Sequence, residues 1–169
     1  MPPVTSELIR QLREMTSAGV MDCKRALEES GGDLEKAVKR LGEMGIATAA
    51  KKADRVTAQG LVESYIHAGG RIGVIVEVAC ETDFVARTPD FKGLARDIAM
   101  QVAAMNPLAV SEGDPLPESA EGRVDEVVLL KQPWIKDSAK DIRQLINETI
   151  GKTGENIQVK RFARFEIGE

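Results

Sequence analysis

The spacing of apolar residues changes once along this chain, near Val56, and that change limits its fold more than any other feature. Before it, apolar residues recur every three or four positions, as on amphipathic helices. After it they alternate, as on half-buried strands. Leu8, Leu12 and Met15 share one face of a first helix, with Thr5 or Ser6 as its cap. Thr16-Ser17-Ala18-Gly19 breaks it, and Asp22 is placed to cap a second helix whose apolar face is Cys23, Ala26 and Leu27. Gly31-Gly32 ends that helix. Asp33 opens a third, with Leu34, Ala37, Val38, Leu41 and Met44 at helical spacing, and residues 47–55 read as helix tail and linker. Residues 1–54 therefore form a three-helix module with little core of its own, for which marginal stability is expected.

Residues 55–169 read differently. Leu61, Tyr65 and His67 alternate with Val62, Ser64 and Ile66, and Ala68-Gly69-Gly70 is a hairpin turn. Ile72, Val74, Val76 and Val78 then alternate with Gly73, Ile75, Glu77 and Ala79. Thr88-Pro89-Asp90 signals a helix start, with a capping residue followed by proline. Phe91, Leu94, Ile98, Val102 and Met105 line one side of that helix. Residues 106–122 are proline-, glycine- and acid-rich without Lys or Arg, a solvated loop, and residues 124–130 fit strand or helix. Ser138 with Asp141 suggests a capping box for a helix carrying Ile142, Leu145, Ile146 and Ile150, stopped by Gly151 and Gly154. Ile157, Val159, Ala163, Phe165 and Ile167 give a last strand. Without regular strand–helix–strand alternation the fold class is α+β, a small antiparallel sheet covered by helices.

Composition removes several functions. Hydrophobic residues make up 43% and charged residues 30%, the balance of a soluble folded chain. The formal net charge of −4, with the acidic excess lying wholly beyond residue 54, argues against a nucleic-acid binder that works by neutralising phosphates. No leader segment and no apolar run of membrane-spanning length is visible. Cys23 and Cys80 lie far apart without ligand-like spacing, so reduced thiols in a cytoplasmic protein are expected.

Catalytic chemistry finds little support. His67 stands beside a turn with no cysteine, serine or acid set around it, so a structural role is favoured. Gly69-Gly70-Arg71-Ile72-Gly73 superficially resembles a dinucleotide loop but joins two strands. Gly151-Lys152-Thr153 resembles the end of a phosphate-binding loop, yet Ile146 stands where glycine is needed and the segment closes a helix instead of opening one. Both cysteines fit as small core residues. What remains is Cys80-Glu81-Thr82-Asp83-Phe84-Val85-Ala86-Arg87, between the most strand-like run and the helix start at Thr88. Phe84 and Val85 fit neither neighbour's hydrophobic register. They are core plugs or a presented contact surface, and the residues alone favour core.

Three motifs in order carry a resemblance over nearly the whole chain. They are Leu12-Arg13-Glu14-Met15-Thr16 with Ala18-Gly19-Val20-Met21-Asp22-Cys23-Lys24-Arg25-Ala26-Leu27; Tyr65-Ile66-His67-Ala68-Gly69-Gly70-Arg71-Ile72-Gly73-Val74 running on to Glu81-Thr82-Asp83-Phe84-Val85-Ala86-Arg87; and Gly154-Glu155-Asn156-Ile157 with Arg161-Phe162. Together they resemble the signatures of the translation elongation factor Ts family, in a short, single half-core form.

The resemblance implies a nucleotide exchange factor for the GTPase elongation factor Tu. On that basis the first module is ubiquitin-associated-like, and Leu12, Arg13, Val20 and Met21 contact the partner. Thr82, Asp83, Phe84 and Val85 form a wedge near its Mg²⁺ site, with Val85 as packing support for a presented Phe84. No bond is made or broken by such a chain, so no cofactor, metal site or general base is expected. Ser17 and Val20 depart from the family's usual glycine and methionine. Many relatives carry a second half-core or a helical pair where this chain has its acidic loop, and a homodimer through the sheet is therefore expected. The alternative is a non-catalytic adaptor, a ubiquitin-associated-like binding module on a dimerising core, in which Asp83 and Phe84 are cap and plug.

Overall fold

A computed structural model of the chain describes residues 4–169. Helix α1 (Ser6–Thr16) starts where the Thr5 hydroxyl accepts a bond from the Leu8 amide at 3.2 Å. It stops at Ser17, which is left-handed (φ 55°) and whose amide donates to the Arg13 carbonyl at 2.7 Å. Helix α2 (Val20–Glu29) begins directly after Gly19 without a side-chain cap. Asp22 is therefore not its cap, a correction to the sequence expectation. It lies inside the first turn, where a carboxylate suits the helix dipole, and pairs with Arg25 at 2.8 Å. Asp33 does cap α3 (Leu34–Lys52), accepting from the Lys36 amide at 3.0 Å. That bond is the main reason its carboxyl sits below the ordinary aspartate value. Leu12, Cys23, Ala26, Leu27 and Ala37 are buried between the three helices.

Strands β1 (Gln59–Ile66) and β2 (Ile72–Cys80) form a hairpin, closed by the His67 amide donating to the Ile72 carbonyl at 2.9 Å. With β5 (Ile157–Glu166) they make an antiparallel sheet of order β1-β2-β5. Glu77 faces Arg161 and Val78 faces Val159, so Lys160 is the extra residue of a bulge. The bulge changes which side chains face inward. Ile157 and Val159 join the core before it, and Phe162 does so after it. Ala163, Phe165 and Ile167 consequently lie exposed, contrary to the unbroken alternation expected for this strand.

One face of the sheet is covered by α5 (Pro89–Met105), capped by Thr88 accepting from the Phe91 amide at 3.3 Å. Phe91, Leu94, Ile98 and Val102 are buried. Met105, expected on the same stripe, is instead 40% exposed, because the helix ends there at a left-handed Asn106. The ambiguous stretch is a one-turn helix α6 (Val124–Val127) followed by a 3-10 turn at Leu129–Lys131. A short hairpin, β3 (Pro133–Trp134) and β4 (Asp137–Asp141), leads into α7 (Ile142–Thr153). Ser138 belongs to β4 and caps nothing, which corrects the expected box. The chain stays extended up to Asp141, whose carboxylate accepts from the Gln144 amide at 2.8 Å while the Gln144 side-chain oxygen accepts from the Asp141 amide at 2.9 Å.

Helix α7 packs against both α5 and α3. Gly45 of α3 is needed for that approach. A Cβ there would stand 3.1 Å from the Asn147 carbonyl oxygen, and a Cβ on Gly151 would stand 3.5 Å from the Gly45 Cα. The three helices therefore pack on the sheet-bearing remainder through α3, in an α+β arrangement.

Candidate partner-docking site

The segment after β2 turns sharply into a single helical turn, α4 (Asp83–Ala86). Thr82 caps it, its hydroxyl accepting from the Val85 amide at 3.4 Å. Two residues later Thr88 caps α5, and its hydroxyl also donates to the Val85 carbonyl at 2.7 Å. A second cap so soon after the first leaves room for one turn only. That turn directs Ala86 inward, where it is buried, sets Val85 against the core, and leaves Phe84 outside at 76% exposure.

Such exposure removes the core-plug reading of Phe84 favoured by the residues alone. A phenylalanine held this far in water gives up most of the ~2 kcal/mol that burial of its ring would contribute. Asp83 stands beside it, half-exposed and paired with Arg87 at 3.0 Å.

The turn is anchored from below. Glu155, between α7 and β5, accepts bonds from the Glu81 amide at 3.0 Å, the Thr82 amide at 2.9 Å and the Thr82 hydroxyl. A carboxylate taking bonds from two consecutive amides and a hydroxyl is a strong local clamp. Cys80 lies fully buried behind the turn and donates to the Thr82 carbonyl at 3.1 Å. Burial, and secondarily the nearby Glu155, pushes its thiol pKa up, so it stays protonated and unreactive. Burial does the same to Cys23.

Sequence reasoning missed Glu155, Arg87 and Glu81 as partners of this turn. All three fell within motifs already singled out, but nothing in the sequence joined Glu155 to a turn whose cap lies 73 residues away.

The second group of candidates sits at the α1–α2 turn. Val20 is 48% and Met21 72% exposed, beside an exposed Arg13 and Met15. Leu12 differs: it is completely buried in the three-helix core, so it supports this surface from behind instead of touching anything outside. The α1–α2 turn also borders a cleft of about 450 Å³ between α3, α5 and α7, shared with Trp134 and Lys140.

His67 is exposed and shares a hydrogen bond of 3.0 Å with the Tyr65 hydroxyl. Among the described residues no group of three or more His, Cys, Asp and Glu side chains is placed to hold a metal ion. Among them too, no helix is long and apolar enough to cross a membrane.

The family model described as elongation factor TS matches residues 5–121. Elongation factor Ts of Desulforamulus reducens is 50% identical over 198 residues, covering 100% of this chain and 91% of that protein. Elongation factor Ts of Syntrophomonas wolfei is 51% identical over 195 residues, covering 98% and 91%. That of Thermotoga petrophila is 49% identical over 193 residues, covering 98% and 97%. Those matches run longer than the 169 residues of this chain, so each relative carries residues without a counterpart here. The chain belongs to the elongation factor Ts family, whose members are named as translation elongation factors.

Proposed function

We propose that this chain is the guanine nucleotide exchange factor of elongation factor Tu and accelerates GDP release during translation elongation in the cytoplasm. The observation that carries the reading is Phe84, a large aromatic at 76% exposure on a turn fixed by two helix caps and a carboxylate clamp. A rigid apolar tip beside the Asp83 carboxylate suits insertion next to a Mg²⁺ site. Mg²⁺ requires near-ideal octahedral geometry and bridges nucleotide phosphates to protein, so a small displacement of its surroundings weakens nucleotide binding. Thr82 and Val85 hold the tip from either side. Arg13, Val20 and Met21 dock on the same GTPase from the three-helix region, while Leu12 keeps their scaffold packed.

The chain then acts by coupling and performs no bond chemistry. It lowers nucleotide affinity by the factor by which nucleotide lowers its own, and a coupling of about 3 kcal/mol is worth roughly 100-fold. The adaptor alternative gives Phe84 no partner of its own and explains its exposure less well. The test is release of a fluorescent GDP from elongation factor Tu by substoichiometric amounts of the chain. Multiple turnovers by the wild type, lost in the folded Asp83→Ala/Phe84→Ala variant, are expected. Binding without acceleration by the wild type leaves only the adaptor.

The chain is further proposed to act as a homodimer through the outer face of its sheet. Ile66, Gly73 and Phe165 stand in one cross-strand row, and Ser64, Ile75 and Ala163 in the next. Val62, Ile66, Ile75 and Phe165 are all exposed there. An apolar sheet face of this kind, left open, marks an interaction surface. Light scattering is expected to give twice the 18.3 kDa chain mass, falling to one in Ile75→Lys/Phe165→Lys. A monomeric wild type at working concentration contradicts it.

A further inference from the structure

We infer that Glu155 and Asn156 are positioning residues that hold the Phe84 turn and the three-helix region at a fixed separation, an assignment that rests on the exchange reading above. The two surfaces lie on different elements, and consecutive residues of the α7–β5 turn hold each of them. Glu155 takes the two amides and the hydroxyl at the start of α4. The neighbouring Asn156 holds the other element. Its side-chain amide donates to the Ala53 carbonyl at 3.2 Å and the Arg55 carbonyl at 2.9 Å, just past the end of α3.

Further bonds close the loop. The Asn156 backbone amide donates to the Glu81 carboxylate at 2.8 Å, and that carboxylate lies 3.6 Å from the Arg55 guanidinium. Lys52 at the end of α3 donates to the Gly154 carbonyl. Asn156 is 3% exposed and both its amide protons are used, and only Gln offers the same two donors, on a longer stem. Removing it leaves the Ala53 and Arg55 carbonyls without their side-chain partner, which loosens the linker.

Neither residue needs to touch the GTPase. Glu155 controls how firmly the tip is presented once the complex has formed, whereas Asn156 controls whether the helical surface arrives at the right distance. Their losses therefore separate kinetically. Rigid presentation is realised in the rate of the step, and prior alignment of two surfaces is realised in affinity.

The experiment measures fluorescent GDP release from elongation factor Tu against concentration of the full chain, for wild type, Glu155→Ala and Asn156→Ala, each checked for folding by circular dichroism. Glu155→Ala is expected to lower the saturating release rate about tenfold with its half-saturating concentration little changed. Asn156→Ala is expected to raise the half-saturating concentration about tenfold with the saturating rate held. Glu155→Gln keeps an acceptor for the two amides and is expected to recover most of the rate. If Glu155→Ala does not fold, Glu155→Asp draws the carboxylate back by one methylene and carries the same expectation at about threefold.

Folded variants that match wild type, or that shift rate and half-saturation together, overturn the assignment. If the wild type itself fails to accelerate release, the exchange reading falls by that result alone. Positioning is then decided by the distance between spin labels at Glu14→Cys and Lys92→Cys. That distance is expected to broaden in Asn156→Ala, and an unchanged distribution refutes it.

Discussion

The three-helix region and the sheet region present their exposed apolar side chains from opposite kinds of scaffold. In the first, the buried set is Leu12, Cys23, Ala26, Leu27 and Ala37, mostly small side chains. Its definition comes from the Thr5 and Asp33 caps and from the packing of α3 on α7. In the second, β2 and α5 bury Val74, Val76, Val78, Phe91, Ile98 and Val102 in one continuous cluster, and α7 and β5 extend it. Val20 and Met21 thus ride on a scaffold with little core of its own, whereas Phe84 rides on a turn locked by caps and Glu155 against a dense core. On the exchange reading proposed above, the difference suits a division of labour in which one surface adapts to the GTPase and the other pushes on it.

A large effect on the sheet is expected at Gly60. Its φ is +143°, and a Cβ there would stand 2.1 Å from the Val78 carbonyl oxygen, so Gly60→Ala must push β1 off β2 next to the Phe84 turn. A loss of about 3 kcal/mol is expected in denaturant unfolding. A neutral result shows that the sheet edge is softer than its contacts imply.

Leu27→Ala empties a buried position in the helical region and is expected to cost about 2–5 kcal/mol there. Hydrogen exchange should rise in α1 and α2 while β2 and α5 stay protected. Equal loss of protection in both regions breaks the contrast between them.

Phe84→Ala removes an exposed ring and is expected to change stability by no more than about 0.5 kcal/mol while abolishing exchange. Unfolding and release assays on one preparation separate the two effects.

Ser17→Gly relieves a left-handed serine at the end of α1 and is expected to gain up to about 1 kcal/mol in thermal unfolding. This geometry gives a physical reason for glycine at that position.

The smallest effect is in acid. The Asp33 carboxyl titrates below the ordinary value of 3.8, so its cap on α3 is fully present above that value and is lost as pH falls through the lower, folded pKa. The Lys36 amide resonance should report that transition first. A midpoint at or above 3.8 refutes the cap.

Most elements were legible from the chain because their signals are local. Thr5, Asp33 and Thr88 cap the helices they precede, and the paired glycines after His67 turn the hairpin. What stayed hidden depends on distant partners. Lys160 is bulged only because Val78 pairs with Val159, so the outward Phe165 follows from strand pairing and not from its own neighbours. Glu155 lies 73 residues from Thr82, and no periodicity links a carboxylate to amides at that separation. Leu12 fell within a motif credited with partner contact, yet its helical register beside Leu8 and Met15 already placed it on the apolar face, where it is buried.

The most direct test of the coupling is the affinity of the chain for elongation factor Tu with and without GDP, measured by titration for the wild type and Phe84→Ala. Reciprocal coupling requires the wild type to bind the nucleotide-free GTPase more tightly, by about 100-fold for a coupling near 3 kcal/mol. In Phe84→Ala that ratio is expected to collapse toward one, with binding through the helical surface retained. Equal wild-type affinities for the two forms would contradict exchange by this chain, however tightly it bound.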